Sequence, residues 1–529
     1  MVDIRTGTGA PGPPADLRRL ARGSSANLGG SVVAALLNIV LPVVVTRSLD
    51  QQDAGLFFQA IALFTILLNT GTIGADTGVL RMLPRALVLE RRGDLRRYLV
   101  VALLPALAFG VLLTLATLLL AGPLSRGLTD DPETAETFRT VLLVLLPWVP
   151  VGVLYSITMS TSRGLGSVVP LVVVEKIGRH ALETGAVALA LALGASVALV
   201  VLAWVAPYLA MVVVVAAWVR RRVRRATSRV RNDRPQHAPR AWRDLAEEFW
   251  RFSAPRALAR VFTVLQQRVD VLVVGALLGP ADAAVYAAAT RFLVLGQMLV
   301  QSIQQVMAPT ISARLAVDDR ARAEAIYRTT TAWLTLMSWP LYLTAILFSP
   351  LLIGIFGPGY VEGATTVSVL CAAMLVATAC GPVDTVLLME GRSVLSVVNT
   401  GLALAVDVVL ILLLVPRLGI VGAALAWAVA ILVKNLLPLW QVNRYLSLHP
   451  LGPATRSAMA ATVTSFGVVA GACALVLGRG LTGFTVAALL ATATYAALVW
   501  RRLDVLEGEA LLAVLRRRQR ADQRPDQRP

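Results

Sequence analysis

Cysteine is scarce in this sequence. The chain has three cysteines among 529 residues, namely Cys371, Cys380 and Cys473, and each lies inside an apolar run. No Cys-x-x-Cys pair occurs, so the sequence predicts neither a disulfide scaffold nor a zinc site. The three histidines lack cysteine or carboxylate neighbours at metal-ligand spacing, and no P-loop pattern is present. These absences predict a protein with no resident metal or cofactor and no P-loop nucleotide hydrolysis.

Charged residues are also few. They make up 15% of the chain and hydrophobic residues 57%, whereas soluble proteins average about 25% and about 45–50%. This excess excludes disorder and argues against an ordinary soluble enzyme, because one core cannot bury it. The sequence therefore predicts an all-α polytopic membrane protein, with about 14 stretches that reach the roughly 20 apolar residues of a spanning helix. These stretches lie near 28–47, 54–80, 98–121, 138–160, 168–193, 197–219, 255–279, 284–313, 328–350, 361–389, 394–415, 418–443, 457–478 and 481–500.

Basic residues outnumber acidic ones by 49 to 31, which gives a net charge of +18. Such an excess is typical of nucleic-acid binding or of contact with an anionic membrane face. With a cytoplasmic N-terminus, 39 of the 49 basic residues fall in predicted cytoplasmic segments and only five in outer connections. This asymmetry follows the positive-inside rule. We therefore expect a cell-membrane protein with both termini in the cytoplasm, anionic lipids of the inner leaflet as partners, and no nucleic acid.

The longest stretch outside the predicted spans is 220–254. Trp242, Leu245, Phe249 and Phe252 recur there at helical spacing, opposite charged residues. The pattern predicts a short amphipathic helix on the inner leaflet. A solvated linker is the alternative.

The two halves of the chain are related by an internal repeat. A shift of 229 residues places 47–60 on 276–289 without gaps and matches Asp53 with Asp282. Because six spans return the chain to its starting side, both copies enter the membrane in the same direction. We expect a pseudo-twofold axis along the membrane normal and a central substrate cavity. The predicted divisions are a cytoplasmic segment 1–27, an N-lobe 28–219, a basic linker 220–254, a C-lobe 255–447, two extra helices at 457–500 and a basic cytoplasmic tail 501–529.

Polar side chains form stripes in two repeat-related spans. The first stripe consists of Thr65, Asn69, Thr72 and Asp76, and the second of Gln297, Gln301, Gln304 and Gln305. Each set follows one helical face, and polar groups in hydrocarbon tend to face a cavity because they are costly elsewhere. We expect the stripes to form facing cavity walls. Hydrogen bonding that only holds the helices together is the alternative.

Three charged residues, Arg268, Asp270 and Arg291, are predicted at mid-membrane depth. Guanidinium groups match phosphate oxygens bidentately, so the two arginines are candidate ligands of an anionic group. Asp270 would balance their charge in the empty site. A closed structural ion pair is the alternative.

The fifth span carries Glu175, Arg179 and Glu183 on one face, with Lys176 and His180 beside them. The charges cancel, which fits a self-compensated polar seam. The alternative is a titratable relay that couples transport to a proton or sodium gradient, since imidazole titrates near neutral pH.

Several segments resemble a known family. The opening LGGSVVAALLNIVLPVVVTRSLDQQDAGLFFQAIALF is similar to the first two helices of the polysaccharide-transporter branch, or Wzx-type oligosaccharide flippases, of the multidrug/oligosaccharidyl-lipid/polysaccharide (MOP) exporter superfamily. The seventh and eighth helices of that family resemble RFSAPRALARVFTVLQQRVDVLVVGALLGPADAAVYAAATRF, and later ones resemble LVPRLGIVGAALAWAVA. The resemblance covers nearly the whole chain after residue 25.

The resemblance implies a transporter, not an enzyme, with two six-helix lobes in a V shape. It implies alternating-access movement of an undecaprenyl- or decaprenyl-pyrophosphate-linked glycan from the inner to the outer leaflet. Arg268 and Arg291 would contact the pyrophosphate, and glycosyltransferases or a polysaccharide polymerase would be partners. An ion-coupled multidrug exporter, a lipid II flippase and a membrane enzyme of glycan assembly stay open as alternatives. The mid-membrane arginines argue against a cation exporter, and the opening motif of the lipid II branch is not found.

Overall fold

The computed structural model describes residues 37–129, 131–167, 169–228 and 240–502. The predicted segment 1–27, the middle of the linker and nearly all of the tail 501–529 lie outside these ranges. Within them every regular element is a helix. Nine described helices are long and apolar enough to cross a membrane, or ten if the bent pair Arg320–Leu347 and Ser349–Phe356 is one span. The protein is therefore an all-α, multi-pass membrane protein, while the count of 14 spans stays a prediction.

Ten helices form the first half, here called the N-lobe. They are α1 Leu37–Ser48, α2 Gln51–Gly71, α3 Ala75–Val88, α4 Leu95–Leu119, α5 Ala121–Gly127, α6 Pro132–Leu145, α7 Val149–Gly164, α8 Leu171–Ala192, α9 Val197–Val205 and α10 Pro207–Ser228. The first nine residues of α8, Leu171–Arg179, are wound as a π-helix.

Eight helices form the second half, here called the C-lobe, and three more follow it. The C-lobe has α11 Trp242–Leu278, α12 Pro280–Ala289, α13 Arg291–Leu315, α14 Arg320–Leu347, α15 Ser349–Ile353, α16 Ala364–Ala379, α17 Val383–Met389 and α18 Ser393–Leu446. The remaining helices are α19 Pro453–Thr462, α20 Ala470–Leu477 and α21 Leu481–Arg501, with a π-helical turn at Val463–Val469 between α19 and α20.

Aspartates begin several of these helices. The side chains of Asp50, Asp131 and Asp319 accept hydrogen bonds from backbone amides in the first turns of α2, α6 and α14. A helix start leaves four amides without intrahelical partners, and a capping carboxylate satisfies one or two of them. These starts are therefore encoded locally in the sequence.

Two glycines mark breaks in the helices, one inside a predicted span and one between two predicted spans. The stretch 54–80 is broken between α2 and α3, where Ile73 and Gly74 have positive φ angles of 42° and 78°. The stretches 394–415 and 418–443 correspond to two helices that meet at a kink inside α18, at the non-helical Gly419. A positive φ angle suits glycine, which has no Cβ to clash. The break at Gly74 is the one that hydrophobicity alone does not show.

The longest helix, α11, connects two differently built ends of the helix bundle. Its 37 residues extend about 55 Å at 1.5 Å per residue. At its start lie Arg81 and Arg85 of α3 together with Arg240 and Arg251, and this end is called the basic end below. The other end, where α11 stops and α12 begins, is called the far end.

At the far end, the two lobes meet through repeat-related segments. Residues 51–60 of α2 pack against α12, which occupies 280–289 and is the same segment after the shift of 229. Gly55 is in such close contact with Pro280 that a Cβ there would overlap the Pro280 backbone. Arg47 also donates hydrogen bonds to the carbonyls of Ile355 and Gly354, at 2.8 and 3.1 Å. Self-packing of equivalent segments is the geometry expected close to a twofold axis.

At the basic end, the first part of α11 is attached to the N-lobe. Leu245 and Phe249 are completely buried and belong to the main hydrophobic core. Glu248 binds Arg85 at 2.6 Å and Tyr98 at 3.1 Å. The helix expected at 242–252 is therefore present, but its apolar side packs against α3 and α4 instead of facing lipid, because those helices offer both an apolar surface and partners for Glu248.

Candidate functional site

A polar cavity of about 420 Å³ lies between the lobes. Its wall is built from α1, α2, α3, α7, α8, α9 and α10 of the N-lobe and from α11 and α13 of the C-lobe. The polar wall residues that carry the argument below are Thr65, Asn69, Asp76, Tyr155, Ser160, Arg163, Glu175, Arg179, His180, Glu183, Tyr208, Arg260, Arg268 and Arg291.

Arg268 and Arg291 reach the centre of this cavity from two C-lobe helices. Arg268 projects from the C-terminal third of α11, and Arg291 is the first residue of α13. The Nε atom of each is buried and has no hydrogen-bond partner among the described residues. The Arg291 guanidinium lies 5.5 Å from the centre of the Phe58 ring, a cation–π contact that holds the group without using its N–H donors. The two arginines therefore present donors to the cavity.

Arg163 and Arg260 line the cavity closer to the basic end. Arg260 donates from Nε to Asn69 Oδ1 at 3.0 Å, and Arg163 donates to Ser160 Oγ at 2.9 Å. Arg163 also interacts electrostatically with Asp76 and with Arg260. Both hydrogen-bond partners are uncharged, so neither arginine is neutralised by them.

Arg179 has a different environment from the other four arginines. It forms ion pairs with Glu175 and Glu183, each at 3.1 Å, and donates a hydrogen bond to Tyr208 at 3.2 Å. Tyr155 hydrogen-bonds Glu175 from across the cavity wall. Glu175 and Arg179 belong to the π-helical part of α8, a geometry that is rare and frequent at functional sites. The cluster compensates its own charge.

His180 adds a further contact to this cluster. Its Nδ1 lies 3.5 Å from Glu183 Oε2. Lys176, which was grouped with these residues from the sequence, is not part of the cavity wall.

The cavity is therefore basic. Five arginines face it, against the carboxylates of Asp76, Glu175 and Glu183. Two of these carboxylates are bound to Arg179, and the other four arginines form no ion pair with a carboxylate in the described part of the chain. Arg163 interacts electrostatically with Asp76 and Glu175, and Arg268 with Asp270, but the guanidinium groups remain in excess. A low-dielectric site strengthens such an imbalance, so the cavity is suited to an anion and unsuited to a cation.

The structure brings together only part of the predicted stripes. Thr65, Asn69 and Asp76 line the cavity, but Thr72 is buried and donates its hydroxyl to the carbonyl of Asn69 at 2.8 Å. Thr72 is the residue at which α2 ends, and its hydroxyl is used within that helix instead of facing the cavity. The described glutamines of the second stripe are not in the wall, since α13 presents Arg291 to the cavity. These glutamines are Gln297, Gln301 and Gln304, whereas the side chain of Gln305 is outside the described residues.

Asp270 lies outside the cavity wall but close to its charges. It is buried, accepts a hydrogen bond from Tyr286 at 2.9 Å and interacts electrostatically with Arg268. The buried Asp407 interacts electrostatically with it, and neither Asp407 oxygen has a hydrogen-bond partner among the described residues. Lys434 donates to Gln266 at 2.5 Å. Because Asp270 follows Arg268 by two residues, it points to another side of α11, and its role in balancing the arginine charge stays a prediction.

Sequence reasoning missed Arg163 and Arg260 as site residues. Both were counted among the arginines that mark the cytoplasmic face, because they lie at the ends of predicted spans. The available signal was position: each lies within about one helical turn of an apolar stretch, where a long side chain can reach into a cavity.

The fold and the cavity define a membrane transporter with two lobes around a polar site. The family model described as Polysaccharide biosynthesis protein matches residues 20–314, which is more than half of the sequence, and the chain belongs to this family. A second model, MatE, matches residues 255–414. The protein is thus a transporter of the MOP superfamily and not an enzyme.

Solved structures share this fold at low sequence identity. An inward-facing MATE family multidrug resistance transporter of the MOP superfamily aligns with a TM-score of 0.63 and 16% identity, covering 78% of this chain and 94% of the other. The lipid II flippase MurJ in an inward closed conformation aligns with a TM-score of 0.67 and 13% identity, covering 92% and 100%. A MOP superfamily transporter from Pyrococcus furiosus, whose binding pocket is described as having reverse polarity, aligns at 0.54 and 18%, covering 81% and 95%. No curated protein matches the sequence significantly.

Proposed function

We propose that the protein is a flippase for an oligosaccharide linked to a polyprenyl diphosphate, a precursor of cell-envelope or exopolysaccharide. It moves this lipid across the cytoplasmic membrane by alternating access. The observation that carries the proposal is the cavity itself, in which four arginines that form no ion pair among the described residues face one space between two lobes. Membership of the polysaccharide biosynthesis family supports a glycan as the cargo.

The chemistry of the cargo fits the charge of the cavity. A diphosphate that links a polyprenol to a sugar carries two negative charges and several acceptor oxygens. Arginine recognises such oxygens with paired N–H donors and stays charged when it is buried. Arg268 and Arg291, whose Nε donors have no partner among the described residues, are the proposed diphosphate ligands. Asn69 of α2 and Asp76 of α3 are proposed to meet the sugar.

The charge distribution also supports an orientation. The basic end carries Arg81, Arg85, Arg240 and Arg251, and cytoplasmic faces are enriched in such residues. We place this end, with both termini, on the cytoplasmic side. There it contacts anionic lipids and receives cargo from glycosyltransferases, and a polysaccharide polymerase uses the product on the other side.

Two other cargoes make different demands on the same fold. A multidrug exporter for cations would need a site that does not repel positive charge. The arginines of this cavity would repel a cationic cargo. Lipid II shares the diphosphate of the proposed cargo, so a test must vary the glycan as well as the protein.

The proposal is tested by removing the central arginines. We expect Arg268→Ala and Arg291→Ala each to reduce export of the surface glycan at least tenfold, since a charge-assisted hydrogen bond contributes about 1.5–3 kcal/mol. Surface glycan on cells and the amount of inserted protein are measured together. The matched control is Arg139→Ala, which removes an exposed arginine that pairs with Glu136. Normal export by the double variant would contradict the assignment, and export of peptidoglycan precursor alone would move the cargo to lipid II.

A further inference from the structure

Four of the five cavity arginines, all except Arg179, are divided into two pairs by their position along α2. The guanidinium of Arg260 lies beside Asn69, and that of Arg291 lies over the ring of Phe58. Asn69 and Phe58 are both in α2 and are eleven residues apart. At 1.5 Å per residue, they are about 16 Å apart along the helix axis.

A second helix gives the same division. Arg260 and Arg268 are both in α11, eight residues apart, which corresponds to about 12 Å along its axis. Arg163 interacts electrostatically with Arg260, and Arg291 with Arg268. Arg163 and Arg260 are therefore called the basic-end pair, and Arg268 and Arg291 the central pair.

The two pairs are about 12–16 Å apart along the helix axes. One diphosphate is too short to contact both pairs together, because its two phosphorus atoms share a single bridging oxygen. We infer that the cavity contains two successive binding stations for the diphosphate, one at the basic-end pair and one at the central pair. This inference rests on the proposed function and extends it to two residues, Arg163 and Arg260, as specific ligands of the cargo.

The two stations differ in strength. At the basic-end pair, Arg260 is exposed and bound to Asn69, and Arg163 is bound to Ser160 and faces Asp76. A ligand there must replace existing contacts. At the central pair the Nε donors are buried and unsatisfied among the described residues, and the neighbouring positive charges oppose each other until an anion arrives. The basic-end station therefore captures the cargo, and the central station binds it more tightly.

The test is a binding measurement on the full-length protein in nanodiscs, with farnesyl diphosphate as the probe. We expect R268A/R291A to weaken equilibrium binding by about 10- to 100-fold and to leave a measurable weak site. We expect R163A/R260A to keep the equilibrium affinity within about threefold but to slow association about tenfold. The variant with all four changes should show no binding.

Two further variants separate ligand contact from structure. R163K/R260K keeps the charge and should restore most of the association rate, whereas Arg139→Ala should change neither quantity. Size-exclusion profiles and unfolding temperatures verify that each variant is folded. A merely structural role of the basic-end pair would lower the unfolding temperature without a selective loss of association rate, and this result would overturn the inference.

The results distinguish a failure of the two-station inference from a failure of the proposed function. If R163A/R260A loses as much equilibrium affinity as the fourfold variant, there is one site and the two-station inference is wrong, although the flippase proposal stands. If wild-type protein does not bind the diphosphate probe at all, the proposed function fails with it.

Discussion

Arg179 shows how the environment of a residue separates charges that look alike in the sequence. It is held by Glu175 and Glu183 and is 18% exposed, while Glu183 is 2% exposed. Arg268 and Arg291 have no such partners in the described part of the chain. Removing one member of a buried charge cluster is costly because the others keep their charge in a low-dielectric place.

We expect Arg179→Met to destabilise the protein by about 3–5 kcal/mol, because it leaves the Glu175 and Glu183 carboxylates without the guanidinium that pairs with both. Thermal unfolding in nanodiscs measures the effect. A second substitution, Glu183→Gln, should recover a substantial part of the loss since it removes the repulsion. Arg139→Ala breaks an exposed ion pair and should change stability little. If the Arg179→Met variant were as stable as the wild type, the cluster would not stabilise the fold.

At the scale of the element, α11 illustrates that an amphipathic pattern does not identify the surface against which its apolar side packs. Its first part has the apolar spacing of a helix on a lipid surface, yet Phe249 and Ser253 pack against Gly78 of α3. Phe252 is covered by Arg81, whose guanidinium lies 4.1 Å from the ring centre. Packing against a membrane surface and packing against an apolar helix face require the same amphipathic spacing. Only the fold shows which of the two surfaces the helix contacts.

The substitution Gly78→Ala tests this docking. An added Cβ would overlap Ser253 Oγ and the Phe249 ring, and overpacking of this kind costs about 1–3 kcal/mol. We expect faster hydrogen exchange and proteolysis in 242–254. The control is Gly93→Ala, where a Cβ meets nothing within 4 Å. Equal protection of the segment in both variants would mean that it does not depend on α3.

At the scale of the whole molecule, the twofold repeat places one seam at the far end. The segments 51–60 and 280–289 pack together there, and the second is rich in alanine, which permits close approach of the backbones. Small residues serve the same purpose at helix interfaces in membranes. A transporter with alternating access must open this seam when the other end closes.

We expect Gly55→Ala to shift the protein toward a state that is open at the far end, since its Cβ would overlap the backbone of Pro280. Maleimide labelling of Ala283→Cys, a fully buried position in the seam, reports the opening and should become several-fold faster. Gly122→Ala is the control, because a Cβ there has free space. Unchanged labelling would show that the seam tolerates the added atom without opening.

The sequence by itself determined the membrane class, most of the helices and the repeat. These features follow from apolar length, capping aspartates and residue identity, all of which are local or periodic. It also singled out Arg268 and Arg291, because charge within an apolar stretch is rare enough to be noticed.

Only the tertiary structure decided which polar residues share the cavity. Thr72, at the end of α2, is buried and bonded to the Asn69 carbonyl, whereas Asp76, beyond the break at Gly74, lines the wall. Gln297, Gln301 and Gln304 of α13 lie outside the wall. Arg163 enters the cavity from the end of α7 and Arg260 from the middle of α11, although the sequence assigned both to the cytoplasmic face. The rotation of a helix and the angle at its breaks are set by packing against distant segments, and a pattern within one helix contains no information about that packing.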